Sequence, residues 1–291
     1  MTALLAWLSR RPLWFLHAIG AGLGWLTWAL SPTYRRRIAA NVALAHVSAS
    51  AARQAIAEAG RLALEMPYLW LRPPQAPLVP PVQMEGAALI DAALERGRGI
   101  VFLTPHLGSF EVTAQAYAER YGSANGPITV LYRPARKRVL REVVDSARAR
   151  PGLAAAPATL AGVRQMIRAL RRGEAVGLLP DQVPPEGLGV WAPFFGEPAY
   201  TMTLAARLVQ QTGATPLVAW GERLPHGRGF VVRISPLTEP LPFEDAHPAD
   251  ACAAAINRAM EALIRQCPQQ YLWGYHRYKT PRADADPRAA G

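Results

Sequence analysis

The sequence predicts an α/β fold: a mostly parallel central sheet flanked by helices, with an N-terminal membrane-anchoring helix. Three observations predict it. Short apolar runs suited to buried parallel strands recur from residue 100 onward. Helix-length stretches separate most of them, the alternation of an α/β sandwich. Near the N-terminus, twenty residues from Pro12 to Ser31 carry no formal charge. The chain has 291 residues, 51% hydrophobic and 18% charged, enough apolar content for a sizeable core and unlike a disordered composition.

As a helix, Pro12–Ser31 would be about 30 Å long, the thickness of a bilayer core. Arg10 and Arg11 flank it on one side and Arg35, Arg36 and Arg37 on the other. Trp14, Trp25 and Trp28 lie towards its ends, where amphipathic rings prefer the headgroup level. Gly20 and Gly24 form a GxxxG face suited to close helix contact. No small-residue cleavage pattern follows the run, so it is not a clean signal peptide. It reads as a helix that spans the membrane or lies deep in its interface, and a buried helix of a soluble protein would carry the same pattern. Residues 1–37 are therefore expected as an anchor and 38–291 as the working domain. The larger basic cluster on the C-terminal flank keeps that domain cytoplasmic under the positive-inside rule.

Residues 38–72 read as helical, and the proline-rich stretch Pro73–Pro81 as a surface connector. Then come a strand at Ile100–Thr104, a helix at Ser109–Tyr121, a strand at Ile128–Tyr132 and a basic helix over Arg136–Ala149. A helix at Leu160–Arg172 stops at Gly173. A strand at Ala175–Leu179, a helix at Thr201–Thr212, strands at Pro216–Trp220 and Gly229–Ile234 and a helix at Ala251–Gln266 complete the chain. In open α/β sheets ligands sit beyond the carboxyl ends of strands. Three strand ends are thus candidate site positions: Thr104–Phe110, Tyr132–Arg133 and Pro180–Gln182.

Lys and Arg number 32 against 21 Asp and Glu, a formal net charge of +11, which calls for an anionic partner. Nucleic-acid binders rarely carry an uncharged twenty-residue run, so the charge points to a membrane and an anionic substrate, with no nucleic acid. From Arg133 to Arg150 there are seven basic and two acidic residues, on a helix that follows a strand end. The two cysteines, Cys252 and Cys267, exclude a disulfide framework and suggest buried thiols in a reducing compartment.

At the first strand end the chain reads Thr104-Pro105-His106-Leu107-Gly108-Ser109-Phe110-Glu111. Pro105 and Gly108 place His106 in a turn, with Ser109 near a helix N-cap and Glu111 in the first turn. From there the imidazole can fold back onto the carboxylate, which fixes its tautomer and leaves the other nitrogen free to take a proton. Gly108 gives the backbone room for close approach of substrate. HExxH and GxSxG are both absent, so zinc and a nucleophile elbow are not indicated. A His-Glu dyad that deprotonates a hydroxyl of the substrate is the natural reading; Ser109 as nucleophile is the weaker alternative to N-cap duty. Trp191, Phe194 and Phe195 suit either core or the wall of an apolar pocket.

HLGSFE after an apolar strand resembles the His-x4-Asp/Glu motif of glycerolipid acyltransferases. Tyr132-Arg133-Pro134, GEAVGLLPDQ (173–182) with Asp181, and Pro193-Phe194-Phe195-Gly196 resemble elements of the bacterial lipid A late acyltransferases. So does the closing Pro268–Lys279, in which Gly274-Tyr275-His276 replaces the more usual basic pair after tryptophan. The ordered set covers nearly the whole chain. The resemblance implies an α/β acyltransferase fold at the cytoplasmic face of the inner membrane. It implies an acyl-carrier-protein thioester as donor, an anionic glycolipid acceptor, and no metal or organic cofactor. His106 would be the general base and Glu111 its orienting partner. Arg133 and Asp181 would bind substrate or serve catalysis. Arg136 and Lys137, on the basic helix, would meet the acidic carrier. Acylation of another membrane lipid, or a non-catalytic basic membrane protein, are the competing readings.

Overall fold

The apolar runs pair side by side. The computed structural model describes residues 2–132 and 150–282. In it β2 (Ile100–Leu103) sits at the centre of a seven-stranded sheet of order β1-β9-β8-β2-β5-β3-β4. Its companions are β1 (Gln83–Glu85), β3 (Ile128–Tyr132), β4 (Leu153–Pro157), β5 (Ala175–Leu178), β8 (Thr215–Arg223) and β9 (Phe230–Pro236). Neighbours run parallel except β8 and β9, which pair antiparallel. Every residue of β2 and β5 is buried, as strands covered on both faces must be, so neither segment alternates in polarity.

The two faces build two cores. Ile100, Phe102 and Leu217 pack with Ile90 of α5 (Ala87–Glu95) and with Val112 and Tyr117 of α6 (Phe110–Asn125). Val101, Leu103 and Val218 point the other way. They meet Met166 of α7 (Leu160–Arg171), Leu208 of α8 (Leu204–Thr212) and Met260 of α9 (Pro248–Gln266).

One sequence expectation is corrected here. The helix expected from Thr201 begins at Leu204, and Thr201 lies in β7 (Glu197–Met202), paired antiparallel with β6 (Gly189–Phe194). Phe195 and Gly196, both at positive φ, form the two-residue turn that folds β7 back. The basic stretch with Arg133, Arg136 and Lys137 lies outside the described residues.

The uncharged run forms α2 (Leu13–Leu30), preceded by α1 (Thr2–Ser9) and followed by α3 (Pro32–Leu44) and α4 (Ala49–Trp70). The Ser31 hydroxyl caps α3 by accepting from the Tyr34 N–H, and Ser48 caps α4 through the Ala51 N–H. The expected boundary after residue 37 falls inside α3. Among the described residues α2 is the one helix long and apolar enough to cross a membrane. It does not stand alone. Gly20 and Gly24 press against α4, where a Cβ on Gly20 would come 2.6 Å from the Gly60 carbonyl oxygen and one on Gly24 would overlap that of Ile56. Leu13, Leu16 and His17 are buried, while Trp14, Leu23, Trp25, Leu26 and Leu30 remain exposed. The helix is thus seated on protein along one side and bare and apolar along the other.

Candidate active site

β2 and β5 lie in register, Leu103 opposite Leu178, and the Thr104 N–H extends the ladder to the Leu178 carbonyl at 3.0 Å. His106 and Asp181 each stand three residues past these partners, so strand pairing itself brings them together. One Asp181 oxygen accepts from the His106 backbone N–H at 2.8 Å, the other from the ring Nδ1 at 2.7 Å. Asp181 is 1% exposed. Burial alone would raise its pKa, but the His106 charge and hydrogen bonds, with Arg277 behind them, outweigh burial and hold it below the ordinary carboxylate value. When the ring is neutral, an ionised Asp181 requires the proton on Nδ1 and leaves the Nε2 lone pair facing out. That lone pair accepts from the Gln182 side-chain amide at 3.0 Å. The Phe110 ring lies against the imidazole, centroids 4.9 Å apart.

The sequence expected Glu111 to hold the ring nitrogen, and in the structure Asp181 holds it. Glu111 stays close by: from the first turn of α6 it lines a cavity together with Thr104 and Phe110. The cavity runs between the sheet and α6, with Phe102, Tyr117, Ile128, Val130 and Gly177 in its walls. Its lining is mostly apolar and includes the Glu111 side chain.

Gly108 and Ser109 are used differently from expectation. Gly108, at φ +60°, donates its N–H to the Gln270 carbonyl at 3.0 Å, and a Cβ there would overlap the Gly221 carbonyl oxygen. Close packing against β8 is what demands glycine. Ser109 occupies the N-cap position, yet its hydroxyl makes no capping bond and is fully buried without a hydrogen-bond partner.

The closing segment completes the surroundings. The Leu272 N–H donates to the His106 carbonyl at 3.2 Å. Burial and the neighbouring Asp181 push the Tyr271 hydroxyl far above its usual pKa. Arg277, 2% exposed, donates to the Tyr200 carbonyl at 2.7 Å and to the Thr201 hydroxyl at 2.6 Å. Tyr271 and Arg277 were not singled out from sequence, and Gln182 only as the end of the Pro180–Gln182 stretch. The available signal was their place in the two motif segments, 173–182 and 268–279. Among the described residues no group of three His, Cys, Asp or Glu is placed to hold a metal ion.

A histidine held by a buried carboxylate, with Phe110 between it and an apolar cavity, suits proton abstraction. A family model for bacterial lipid A biosynthesis acyltransferases matches residues 1–280. The chain belongs to that family. It is 33% identical over 119 residues to the lipid A biosynthesis lauroyltransferase of Escherichia coli K12, covering 40% of this chain and 38% of that one. It is 28% identical over 198 residues to the palmitoleoyltransferase of the same organism, covering 68% and 61%. A lipid A biosynthesis acyltransferase of Shigella flexneri aligns over 98% of this chain and 90% of its own length at 24% identity. The chain thus spans less than two thirds of the first two relatives and nearly all of the third.

Proposed function

We propose that the chain transfers a fatty acyl group from acyl-carrier protein to a hydroxyl of a lipid A precursor, at the cytoplasmic face of the bacterial inner membrane. The observation that carries this reading is the His106–Asp181 pair in a member of this family, with Phe110 against the imidazole and in the wall of the apolar cavity. A hydroxyl is a poor nucleophile near neutral pH, and a positioned base contributes about 10²–10⁴-fold to its attack. His106 is that base. The acceptor hydroxyl displaces the Gln182 amide at Nε2, passes its proton to the ring, and its oxygen attacks the thioester carbonyl. Asp181 stabilises the imidazolium that forms. As the carbon–sulfur bond breaks, the imidazolium returns the proton to the leaving thiolate.

The acyl tail lies in the cavity, away from water. Transfer is direct: no nucleophile elbow exists, and burial pushes the Cys267 thiol up to about 12, where it is a poor nucleophile. Arg133 grips an anionic group of the acceptor, and Arg136 and Lys137 attract the acidic carrier. The bare side of α2, with arginines beyond its ends, rests in the lipid interface while its other side stays on α4. Mass spectrometry of lipid A from cells with and without the chain tests the reading. Lipid A lacking one acyl chain is expected in its absence, and unchanged lipid A overturns the proposal.

A further inference from the structure

β8 ends at Arg223, which is 3% exposed. Its guanidinium donates to both oxygens of Glu65 at 2.7 Å each and to Glu58 at 2.7 Å. Glu65, fully buried, also bonds His17 Nε2 at 3.0 Å. A chain of charged and polar side chains therefore runs from α2, through α4, to the last residue of β8.

The same residue reaches the catalytic turn. The Arg223 N–H donates to the Gln270 side-chain oxygen and the Gln270 amide donates back to the Arg223 carbonyl, both at 2.9 Å. The Gln270 backbone carbonyl takes the Gly108 N–H at 3.0 Å, and the guanidinium itself reaches the Gly108 carbonyl at 3.4 Å. Next along, the Ser109 N–H bonds the Gly221 carbonyl at 2.7 Å. The proposed chemistry uses none of these charges. A buried ion network is also a poor way to gain stability, since well-packed apolar side chains often serve as well or better, while directional bonds fix geometry.

We infer that Arg223 is a positioning residue: with Gln270 it sets the turn that aims His106, and through Glu65 and His17 it makes that aim depend on α2 being seated on α4. The inference rests on His106 acting as the base. Three variants of the full chain, purified in lipid nanodiscs, test it. His17→Ala deletes only the α2 end of the network, His17→Gln returns a donor to Glu65, and Arg223→Lys keeps the charge but loses the bidentate fork. Two quantities are read: turnover with acyl-carrier thioester and lipid A precursor, and the rate at which diethyl pyrocarbonate modifies His106. Exposed His226 and His247 serve as internal standards.

His17→Ala and Arg223→Lys are expected to lower kcat at least tenfold with KM within twofold. Modification of His106 should rise at least threefold, and His17→Gln should restore both. A lower melting temperature with wild-type kcat and wild-type His106 reactivity overturns the inference and leaves the network a strut. If Arg223→Lys does not fold, His17→Ala decides by the same criteria. If the wild-type chain transfers no acyl group, the proposed function fails, and His106 reactivity still decides: a rise in His17→Ala supports the link and no change overturns it.

Discussion

His106 and Asp181 meet because two neighbouring parallel strands end in register, and this makes the carboxylate at 181 the main lever on the proposed base. Asp181→Asn is expected to lower kcat by roughly 10²–10⁴-fold, because an amide can leave the ring in the wrong tautomer. Glu111→Gln should cost less, since the Nδ1 bond survives; steady-state kinetics of the two variants check the order. The depressed pKa of Asp181 has a sign in stability as well. A group whose pKa is lowered by folding stabilises fully above its unfolded value, about 4, and loses that contribution as pH falls through the folded one. Wild-type stability should therefore fall more steeply than that of Asp181→Asn as pH drops below about 4, measured by denaturant melts. Ser109→Ala should be neutral or raise stability by about 1 kcal/mol, because the hydroxyl it removes is buried and unpaired. His106 was readable from its own neighbours, Pro105 and Gly108. Its pairing was not, since a local sequence carries no strand register, and Glu111, five residues away, looked the nearer partner.

Helix α2 shows the same limit one level up. Its uncharged length was plain from sequence, as was the GxxxG face of Gly20 and Gly24. That the face meets Gly60 of α4 depends on a contact some forty residues along the chain. The two kinds of glycine in α2 give a paired test by thermal melts. Gly24→Leu should drive α2 off α4 and cost several kcal/mol of stability, because its Cβ would overlap backbone. Gly22 has nothing within 4 Å of its Cβ position, so Gly22→Ala should gain about 1 kcal/mol from helix propensity alone. The β6–β7 hairpin escaped sequence reading because its turn, Phe195-Gly196, needs positive φ at a phenylalanine, which propensity disfavours.

The strand-and-helix alternation along residues 100–266 was enough to give a mostly parallel sheet, since β2 and β5 are short, apolar and doubly covered, while β4 (Leu153–Pro157) went unread. What alternation could not give was which part of α2 is covered by α4 and which part is left bare. Trp14 is 60% exposed and Leu30 73% on the free face of α2, a patch suited to lipid. Trp14→Glu with Leu26→Glu should reduce co-sedimentation with anionic vesicles at least fivefold while the folded domain's circular dichroism stays the same. The most direct test uses the purified full chain in nanodiscs, given acyl-carrier thioester and a lipid A precursor, with the product weighed by mass spectrometry. The account predicts a gain of one acyl chain on the precursor, reduced at least a hundredfold in His106→Ala. No gain with the wild-type chain, or an undiminished gain with His106→Ala, would contradict it.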